Sequence, residues 1–340
     1  MLVVTVKERM EIEQENLKNL ARMRSLMLDS KLDKLYGEFW ETAKQKLEKL
    51  GFQTDFLEKI KNPAKFGMLI TGKCRTGEFT VMAELGWVEG ELNKLFAKRN
   101  NLPERVEDTK EMKRFLSNYV KEKAGSEFKI EIKEYKDANC RCYRDSNKIG
   151  FKEGLQIIDV PDGVLHELAH YNEPWSHREI LLCPKNIKRA QRRYSEGRAV
   201  FTEMSLARSE DDALAAYNAL QLMRHIAELT PQLYFDEGKR REKLIMHFAR
   251  ASEGFRMYYS LVQSVGEENL RNFEKACGDS NMRPGIMEDG TLIVITPFLK
   301  VFKVDTEKLA EGETSIEKLK SEEVKMKGMF ERLKLWKKQD

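Results

Sequence analysis

Cysteine is scarce in this chain, and long uncharged stretches are absent from it. Five cysteines in 340 residues are too few for the disulfide framework of a small secreted protein, and an odd number suits a reducing compartment. No run of 18 or more uncharged apolar residues occurs, so no membrane span is expected. The apolar start over residues 1–6 turns charged at Lys7 and is too short for the central region of a signal peptide. We therefore expect a cytoplasmic protein with no membrane partner.

Neither sign of charge is in large excess. Lys and Arg number 60 against 56 Asp and Glu, for a net charge of +4, which does not fit a dedicated nucleic-acid binder. A composition rich in Lys and Glu with little Cys suits a thermophile surface. Hydrophobic residues make up 41% of the chain, enough for a folded protein with a sizeable core.

The hydrophobic pattern divides the chain into three parts. Residues 1–125 are predicted to be mainly helical, because apolar residues recur at helical spacing over 32–47 and 111–123, with short strands at 66–71 and 79–82. Residues 126–275 open with strand-like alternation and continue into long helices at about 185–207, 211–229 and 237–265. Residues 276–340 are predicted to contain a β segment, interrupted at Pro297, and a charged amphipathic helix from about residue 313.

One segment has the spacing of a metal site. His166, Glu167 and His170 form the pattern H-E-x-x-H, on a helix for which Asp162 is the predicted N-cap. Two histidines four residues apart lie one turn apart on the same helix face, so both imidazoles can reach one ion. Glu167 projects beside them, where it can take a proton from a water molecule whose pKa the metal lowers. The alternative is a helix that carries the pair without a metal, but with five histidines in the chain a chance match is rare.

The third ligand decides the subclass of the site, and two nearby residues are poor candidates for it. The metzincin pattern requires a histidine at the position of Ser176, and His177 comes one residue too late. Glu173 lies seven residues after His166, about 10 Å along the same helix. Three ligands strung along one helix cannot converge on one ion, so the third ligand is expected from another element.

The next predicted helix supplies a better candidate. Glu196 follows His170 by 26 residues (196 − 170), which leaves room for a helix end, a loop and an antiparallel return. Gly197 removes a side chain beside the expected metal and lets the two helices approach closely. Glu253, which is followed by Gly254, partly repeats the pattern and is a reserve third ligand, farther along the chain.

The two segments together resemble the gluzincin metallopeptidases of the H-E-x-x-H zincin superfamily, whose second motif often reads E-G-x-A-x-x-x-E. Glu196, Gly197, Ala199 and Glu203 match that motif position by position. The resemblance covers roughly residues 126–265 and implies an α+β, zincin-like catalytic domain, mainly helical with a small mixed sheet. It also implies that Zn²⁺ is the cofactor, that Glu196 is the third zinc ligand with water in the fourth place, and that the substrate is a peptide or protein.

Zincins typically place an edge strand above the metal, where it pairs with an extended substrate. Cys140, Arg141, Cys142 and Tyr143 lie where that strand is expected, and an ordinary sheet strand is the alternative. The glycine-rich motif of gluzincin aminopeptidases is missing there, which favours an endopeptidase.

The resemblance further implies a Tyr or His that stabilises the oxyanion, without giving its position. Tyr258 and Tyr259, on a predicted long helix, are the leading candidates. His225 and His247 compete with them. For each of the four, ordinary packing in the core or a place on the surface is the alternative.

Two other patterns suggest different functions. Residues 67–74 nearly spell a phosphate-binding loop, but Cys74 replaces the hydroxyl that would hold Mg²⁺, so nucleotide binding is not expected. A basic run over residues 185–198 can meet an acidic substrate or a nucleic-acid backbone, or form a solvated helix face. The alternatives to a zinc peptidase are therefore an inactive zincin-fold binding protein and a nucleic-acid-associated protein. The sequence does not indicate the oligomeric state.

Overall fold

The computed structural model describes residues 30–70, 79–135, 139–175, 184–227 and 239–324. Over these ranges the chain has a mixed α+β architecture of many helices and two small sheets. None of the helices within the described ranges combines the length and the apolar character that crossing a membrane requires.

The regular elements described before residue 125 are all helices, joined by short non-helical segments. Its helices are α1 Ser30–Lys49, α2 Asp55–Lys59, α3 Pro63–Ile70, α4 Phe79–Arg99 and α5 Lys110–Ala124. The predicted helix over 111–123 corresponds to α5, which begins where the Thr109 side chain accepts a hydrogen bond from the Met112 N–H. It ends at Gly125 in the left-handed conformation, as expected for a helix C-terminus.

The two short strands predicted in this part are wrong. Residues 66–70 belong to α3 and residues 79–82 to α4, and residue 71 lies outside the described ranges. Phe66 and Leu69 are buried three residues apart, and Val81 and Leu85 four apart, which is helical spacing. Pro63 at the first position of α3 suits a helix start. A short apolar run cannot by itself distinguish a buried strand from a buried helix.

The middle of the chain contains a three-stranded sheet followed by long helices. The elements are β1 Lys129–Lys133, β2 Cys140–Tyr143, a 3₁₀ turn Arg144–Ser146, β3 Lys148–Lys152, α6 Asp159–Tyr171, α7 Lys185–Glu203, a 3₁₀ turn Met204–Arg208, α8 Asp212–Ala227, α9 Lys239–Val265 and α10 Glu267–Asp279. The strand order is β1-β3-β2, with β1 parallel and β2 antiparallel to β3. The strand β2 is therefore an edge strand.

Helix α6 begins earlier than predicted, at Asp159. Its N-cap is Ile158, whose N–H donates to Asn93 Oδ1 at 3.1 Å. Pro161 lies in the first turn, where a missing N–H costs nothing. Asp162 is therefore inside the helix and is not its N-cap. Its carboxylate instead accepts a hydrogen bond from Asn218 Nδ2 at 3.2 Å.

The C-terminal part forms a second sheet. Its elements are β4 Arg283–Ile286, β5 Leu292–Ile295, β6 Val301–Val304, α11 Thr306–Ala310, α12 Ile316–Leu319 and β7 Lys320–Glu323. The four strands are antiparallel in the order β4-β5-β6-β7, and the predicted β segment interrupted at Pro297 corresponds to β5 and β6. Of the helix predicted from about residue 313, Ile316–Leu319 is helical as α12. The prediction is wrong over 320–323, because that segment pairs with β6, and residues 325–340 lie outside the described ranges.

Helix α7 lies between two hydrophobic clusters. The first joins side chains from before and after residue 125, including Leu92 of α4, Val164 of α6 and Leu220 of α8. The second joins Tyr194 of α7 with residues of α9, α10 and the C-terminal sheet, such as Val294. Because α7 is packed on both sides, its position relative to α6 is held by the whole fold.

Candidate metal centre and cleft

Three side chains from two helices converge on one point. Helix α6 supplies His166 and His170, and α7 supplies Glu196. His166 Nε2 lies 3.2 Å from His170 Nε2 and 3.5 Å from Glu196 Oε2, and His170 Nε2 lies 3.9 Å from Glu196 Oε2. A tetrahedral zinc site with bonds of about 2.1 Å has its ligand atoms about 3.4 Å apart, so this triangle has the size of three corners of such a site. Within the described ranges, it is the one group of three such side chains close enough to hold a metal ion.

A carboxylate lies beside the Nδ1 atom of each histidine. Glu203 Oε1 is 2.6 Å from His166 Nδ1, and Glu173 Oε1 is 3.1 Å from His170 Nδ1. Ser195 Oγ lies 2.9 Å from the same His170 Nδ1 and donates to Glu173. A carboxylate only accepts hydrogen bonds, so it favours the proton on Nδ1 and leaves Nε2 as the metal-binding atom.

The sequence alone did not predict that these two carboxylates support the histidines. Glu203 matched the second motif without an assigned function, and Glu173 was considered only as a metal ligand. The signal that was available is spacing: Glu203 follows Glu196 by seven residues, which puts both on one face of α7. Glu173 follows His170 by three residues, but its contact depends on the end of α6 at Tyr171.

The surroundings of His166 favour a positive charge. Burial lowers the pKa of this imidazole, but hydrogen bonds and charges from Glu196 and Glu203 outweigh burial and raise the pKa well above its ordinary value. Asp162 lies next to Glu203, and its pKa is raised well above the ordinary value. Burial is the largest cause, and the negative charge of Glu203 is the second. The raised pKa favours the protonated form of Asp162, which can donate a hydrogen bond to Glu203 and leave Glu203 as an acceptor for His166.

Glu167 is held by the edge strand. The main-chain N–H of Cys142 in β2 donates to Glu167 Oε2 at 2.7 Å. This hydrogen bond fixes the carboxylate beside the two histidines and joins β2 to α6. A carboxylate in this position can accept a proton from a water molecule near the three converging atoms.

A cavity of about 540 Å³ adjoins the site, within the range of about 300–1,000 Å³ that is usual for ligand-binding clefts. Its walls come from β2 and the turn that follows it, from α6 and from α7. The lining residues are Cys142, Arg144, Glu167, His170, Tyr171, Gln191, Arg192, Ser195 and Glu196.

Arg144 joins the turn after β2 to the end of α6. Its Nη2 donates to the carbonyls of His170 at 2.6 Å and Glu173 at 2.7 Å, and also to that of Tyr171. Its Nη1 donates to the Trp175 carbonyl at 3.3 Å. Burial lowers the pKa of this guanidinium, and the Glu173 charge opposes that effect. The cation satisfies carbonyls at the negative end of the helix dipole and so holds the turn that carries His170.

The helices α6 and α7, which carry the candidate metal ligands, do not meet at Gly197. A Cβ on Gly197 would overlap the carbonyl oxygen of Gly254 in α9, and a Cβ on Gly254 would lie 2.6 Å from the Arg193 carbonyl oxygen. Gly197 therefore permits the close crossing of α7 with α9 rather than an approach of α7 to the histidine helix. The link between α7 and α6 is polar instead, since Arg198 Nη1 donates to the Ala169 carbonyl at 2.6 Å.

The predicted oxyanion residues are not among those that line the cavity. Tyr258 is buried and donates to Glu274 Oε1 at 3.0 Å. Tyr259 packs against the rings of Phe201 and Phe255. The tyrosine that does line the cavity is Tyr171.

Two other predicted candidates also lie elsewhere in the structure. His225 Nδ1 lies 3.1 Å from Ser252 Oγ, whereas His247 is in a part of α9 whose side chains are outside the description. The reserve ligand Glu253 forms an ion pair with Arg193 at 3.0 Å and does not join the three converging residues.

Of the four residues predicted to bind substrate, only Cys142 is among those that line the cavity. Cys140 is buried, and its Sγ would lie 2.6 Å from a Cβ on Gly163. Arg141 is exposed and lies 5.6 Å from the centre of the Tyr135 ring. Tyr143 Oη is 3.5 Å from the Tyr135 hydroxyl. A role of β2 in binding substrate would therefore rest on its main chain.

Comparison with known proteins finds no family model that matches the chain, no matching curated protein and no matching solved structure.

Proposed function

We propose that the protein is a zinc-dependent peptide hydrolase in which His166, His170 and Glu196 hold the metal and Glu167 is the general base. The observation that carries the proposal is the convergence of two Nε2 atoms and one carboxylate oxygen within 4.8 Å of one another. Carboxylates that orient both imidazoles from behind support it, because metal-binding histidines almost always have such partners.

The donor set fits zinc in a catalytic rather than a structural site. Two imidazoles and one carboxylate are the ligands of several zinc hydrolases, which keep the fourth coordination position open. A bound zinc ion supplies Lewis acidity, which polarises a carbonyl and lowers the pKa of a water ligand. The cavity beside the three residues provides room for a substrate at that open position.

Glu167 would transfer the proton, and β2 would bind the peptide. Held by the Cys142 N–H, Glu167 is oriented to accept a proton from water and to pass it to the leaving amine. As the edge strand of its sheet, β2 can offer main-chain groups to an extended peptide. Such pairing makes few demands on side chains and suits an endopeptidase.

The two alternatives have less support. In a purely structural zinc site all four positions are filled by protein, whereas here three residues converge beside a cavity. The basic run can meet a nucleic-acid backbone only in part, because Arg193 and Arg198 form ion pairs with Glu253 and Glu274, each at 3.0 Å.

Zinc content and peptidase activity, measured together, test the proposal. The metal-stripped protein, reloaded with zinc and dialysed, should contain one zinc per chain by elemental analysis. His166→Ala and His170→Ala should lose that zinc, whereas Glu167→Gln should keep it and lose cleavage of a denatured protein substrate. Glu253→Gln, at the reserve ligand position, should retain the metal. Cleavage by Glu167→Gln at the rate of the unchanged protein would exclude Glu167 as the base, and zinc retained by both histidine variants would exclude the site.

A further inference from the structure

The α7 wall of the cleft carries an exposed row of cations. Lys185, Arg189 and Arg192 are exposed and follow one another at intervals of four and three residues, so they project from one face of the helix. Glu196 comes four residues after Arg192 and continues the same face. The row therefore runs along α7 to the metal site, and Arg192 at its end lines the cavity.

The charged residues that line the cavity are two acids and two arginines. Its two acids, Glu167 and Glu196, both belong to the proposed metal centre, whose positive charge is further offset by Glu173 and Glu203 behind the histidines. Arg144 and Arg192 are the cations of the lining, so an anionic group of a ligand is expected at one of them.

Of the two arginines, Arg192 is the one available to a ligand. Arg144 already donates to four main-chain carbonyls at the end of α6. Within the part of the chain that the structure describes, the guanidinium of Arg192 has no hydrogen bond or ion pair, and it is exposed. A guanidinium presents two parallel N–H donors that match the two oxygens of a carboxylate.

A second observation at the same wall points to a ligand. Gln191 lines the cavity, is 4% exposed, and its Oε1 has no hydrogen-bond partner among the described residues. Buried polar atoms almost always have a partner, and leaving one without is costly. This oxygen is closed to solvent, so a turn of the amide towards the cavity would let it accept from a main-chain N–H of a bound peptide, one residue away from Arg192.

We propose that Arg192 makes the cleft selective for acidic peptides, with a Glu or Asp side chain of the substrate bound beside the scissile bond. Gln191 accepts a hydrogen bond from the substrate main chain, and Arg189 and Lys185 extend the preference to further acidic residues along α7. This inference rests on the proposed peptidase function. A peptide suits the row better than a nucleic-acid backbone, because the exposed cations follow a single line that ends at the cleft.

Matched peptides test the proposal. Internally quenched octapeptides carry a single Glu, Gln or Lys moved in turn through each position of an otherwise neutral sequence. The zinc-loaded protein should cleave the Glu peptide about three- to ten-fold better, by kcat/KM, than its Gln partner at one position near the cut. Arg192→Gln should abolish this preference, and Arg192→Glu should reverse it in favour of Lys. Arg208→Glu, the same charge change at an exposed site off the cleft, should leave the preference unchanged.

Gln191→Leu separates the two contacts of this wall. It should raise KM for the Glu, Gln and Lys peptides alike, because it removes a main-chain contact and leaves Arg192 in place. Equal kcat/KM for all three peptides in the unchanged protein would overturn the acidic preference while leaving the proposed hydrolysis intact.

If no peptide is cut, the preference for acidic peptides can still be tested by measuring peptide binding. Fluorescence anisotropy of the labelled Glu and Gln peptides on zinc-loaded Glu167→Gln measures the preference without cleavage. The Glu peptide should bind more tightly than the Gln peptide to Glu167→Gln, and this difference should be lost in the Arg192→Glu, Glu167→Gln double variant. That result would support the acidic subsite even though hydrolysis has failed. Equal binding of the two peptides, or a single-stranded oligonucleotide that binds more tightly than the Glu peptide and displaces it, would overturn it.

Discussion

Glu203 Oε1 lies 2.6 Å from His166 Nδ1, on the side of the imidazole opposite to the atom that faces Glu196. The contact is a further link between α7 and α6, two helical turns beyond Glu196. It selects the histidine tautomer that can bind a metal, and it makes the imidazole a stronger donor. One helix therefore supplies both a candidate ligand and the support for another.

Removing that support should weaken metal binding without removing any ligand. We expect Glu203→Ala to lower zinc affinity by about 10–100-fold, since His166 loses the acceptor that orients it. Glu203→Gln should have a smaller effect, because its amide oxygen can still accept from Nδ1–H. Competition with a chromophoric chelator measures the affinity, and Glu253→Gln is the control. A Glu203→Ala protein with unchanged affinity would show that the contact has no part in metal binding.

The crossing of α7 and α9 should not tolerate a methyl group. Gly197→Ala places a Cβ against the Gly254 carbonyl oxygen and close to Tyr258 Cβ, so we expect a loss of about 1–3 kcal/mol in the free energy of unfolding. Gly86→Ala in α4 is the matched control, because nothing lies within 4 Å of its added Cβ. It should be neutral or stabilising, by up to about 1 kcal/mol. Denaturant unfolding of both variants measures the difference, and equal stabilities would contradict the close crossing.

The pH dependence of stability should contain a contribution from Asp159. Burial raises the pKa of this carboxyl from 3.8 to about 6, although Tyr217 donates a hydrogen bond that opposes the shift. Because the folded-state pKa is above the unfolded one, the folded state binds this proton more tightly. The carboxyl therefore favours folding while it is protonated, and that advantage is lost as pH rises from about 4 to about 6, by at most about 3 kcal/mol.

Asp159→Asn removes the titration and tests this pH dependence. The free energy of unfolding of the variant, relative to the unchanged protein, should increase between pH 4 and pH 7. Asp145→Asn, at an exposed position, serves as the control. A difference between the variant and the unchanged protein that stays constant over this pH range would show that Asp159 is not the source.

The end of α6 should depend on the planar guanidinium of Arg144. A lysine ammonium cannot reach the His170, Glu173 and Trp175 carbonyls with the same fork of donors. We expect Arg144→Lys to cost about 1–3 kcal/mol of unfolding free energy and to weaken zinc binding through the displaced His170. Arg208→Lys, at an exposed position, should change neither quantity. Urea unfolding measures the loss of stability, and chelator competition measures the loss of zinc affinity. An Arg144→Lys variant as stable as the control would show that Arg144 does not cap α6.

The sequence by itself determined the residues that share a helix face. The spacing of His166 and His170 requires one turn between them, and the distance to Glu196 requires a return of the chain. Both follow from local periodicity, which is a property of neighbouring residues. The strand-like alternation at the start of residues 126–275 could be predicted for the same reason, and it corresponds to β1.

Only the tertiary structure decided which faces meet. The support of His166 by Glu203 needs a definite rotation of α7 against α6, and Gly197 turned out to serve the crossing with α9. Tyr258 satisfies Glu274 in a buried cluster, which no spacing along the chain indicates. These contacts depend on packing between elements far apart in sequence, so periodicity can state which side of a helix is buried but cannot state against which partner it is buried.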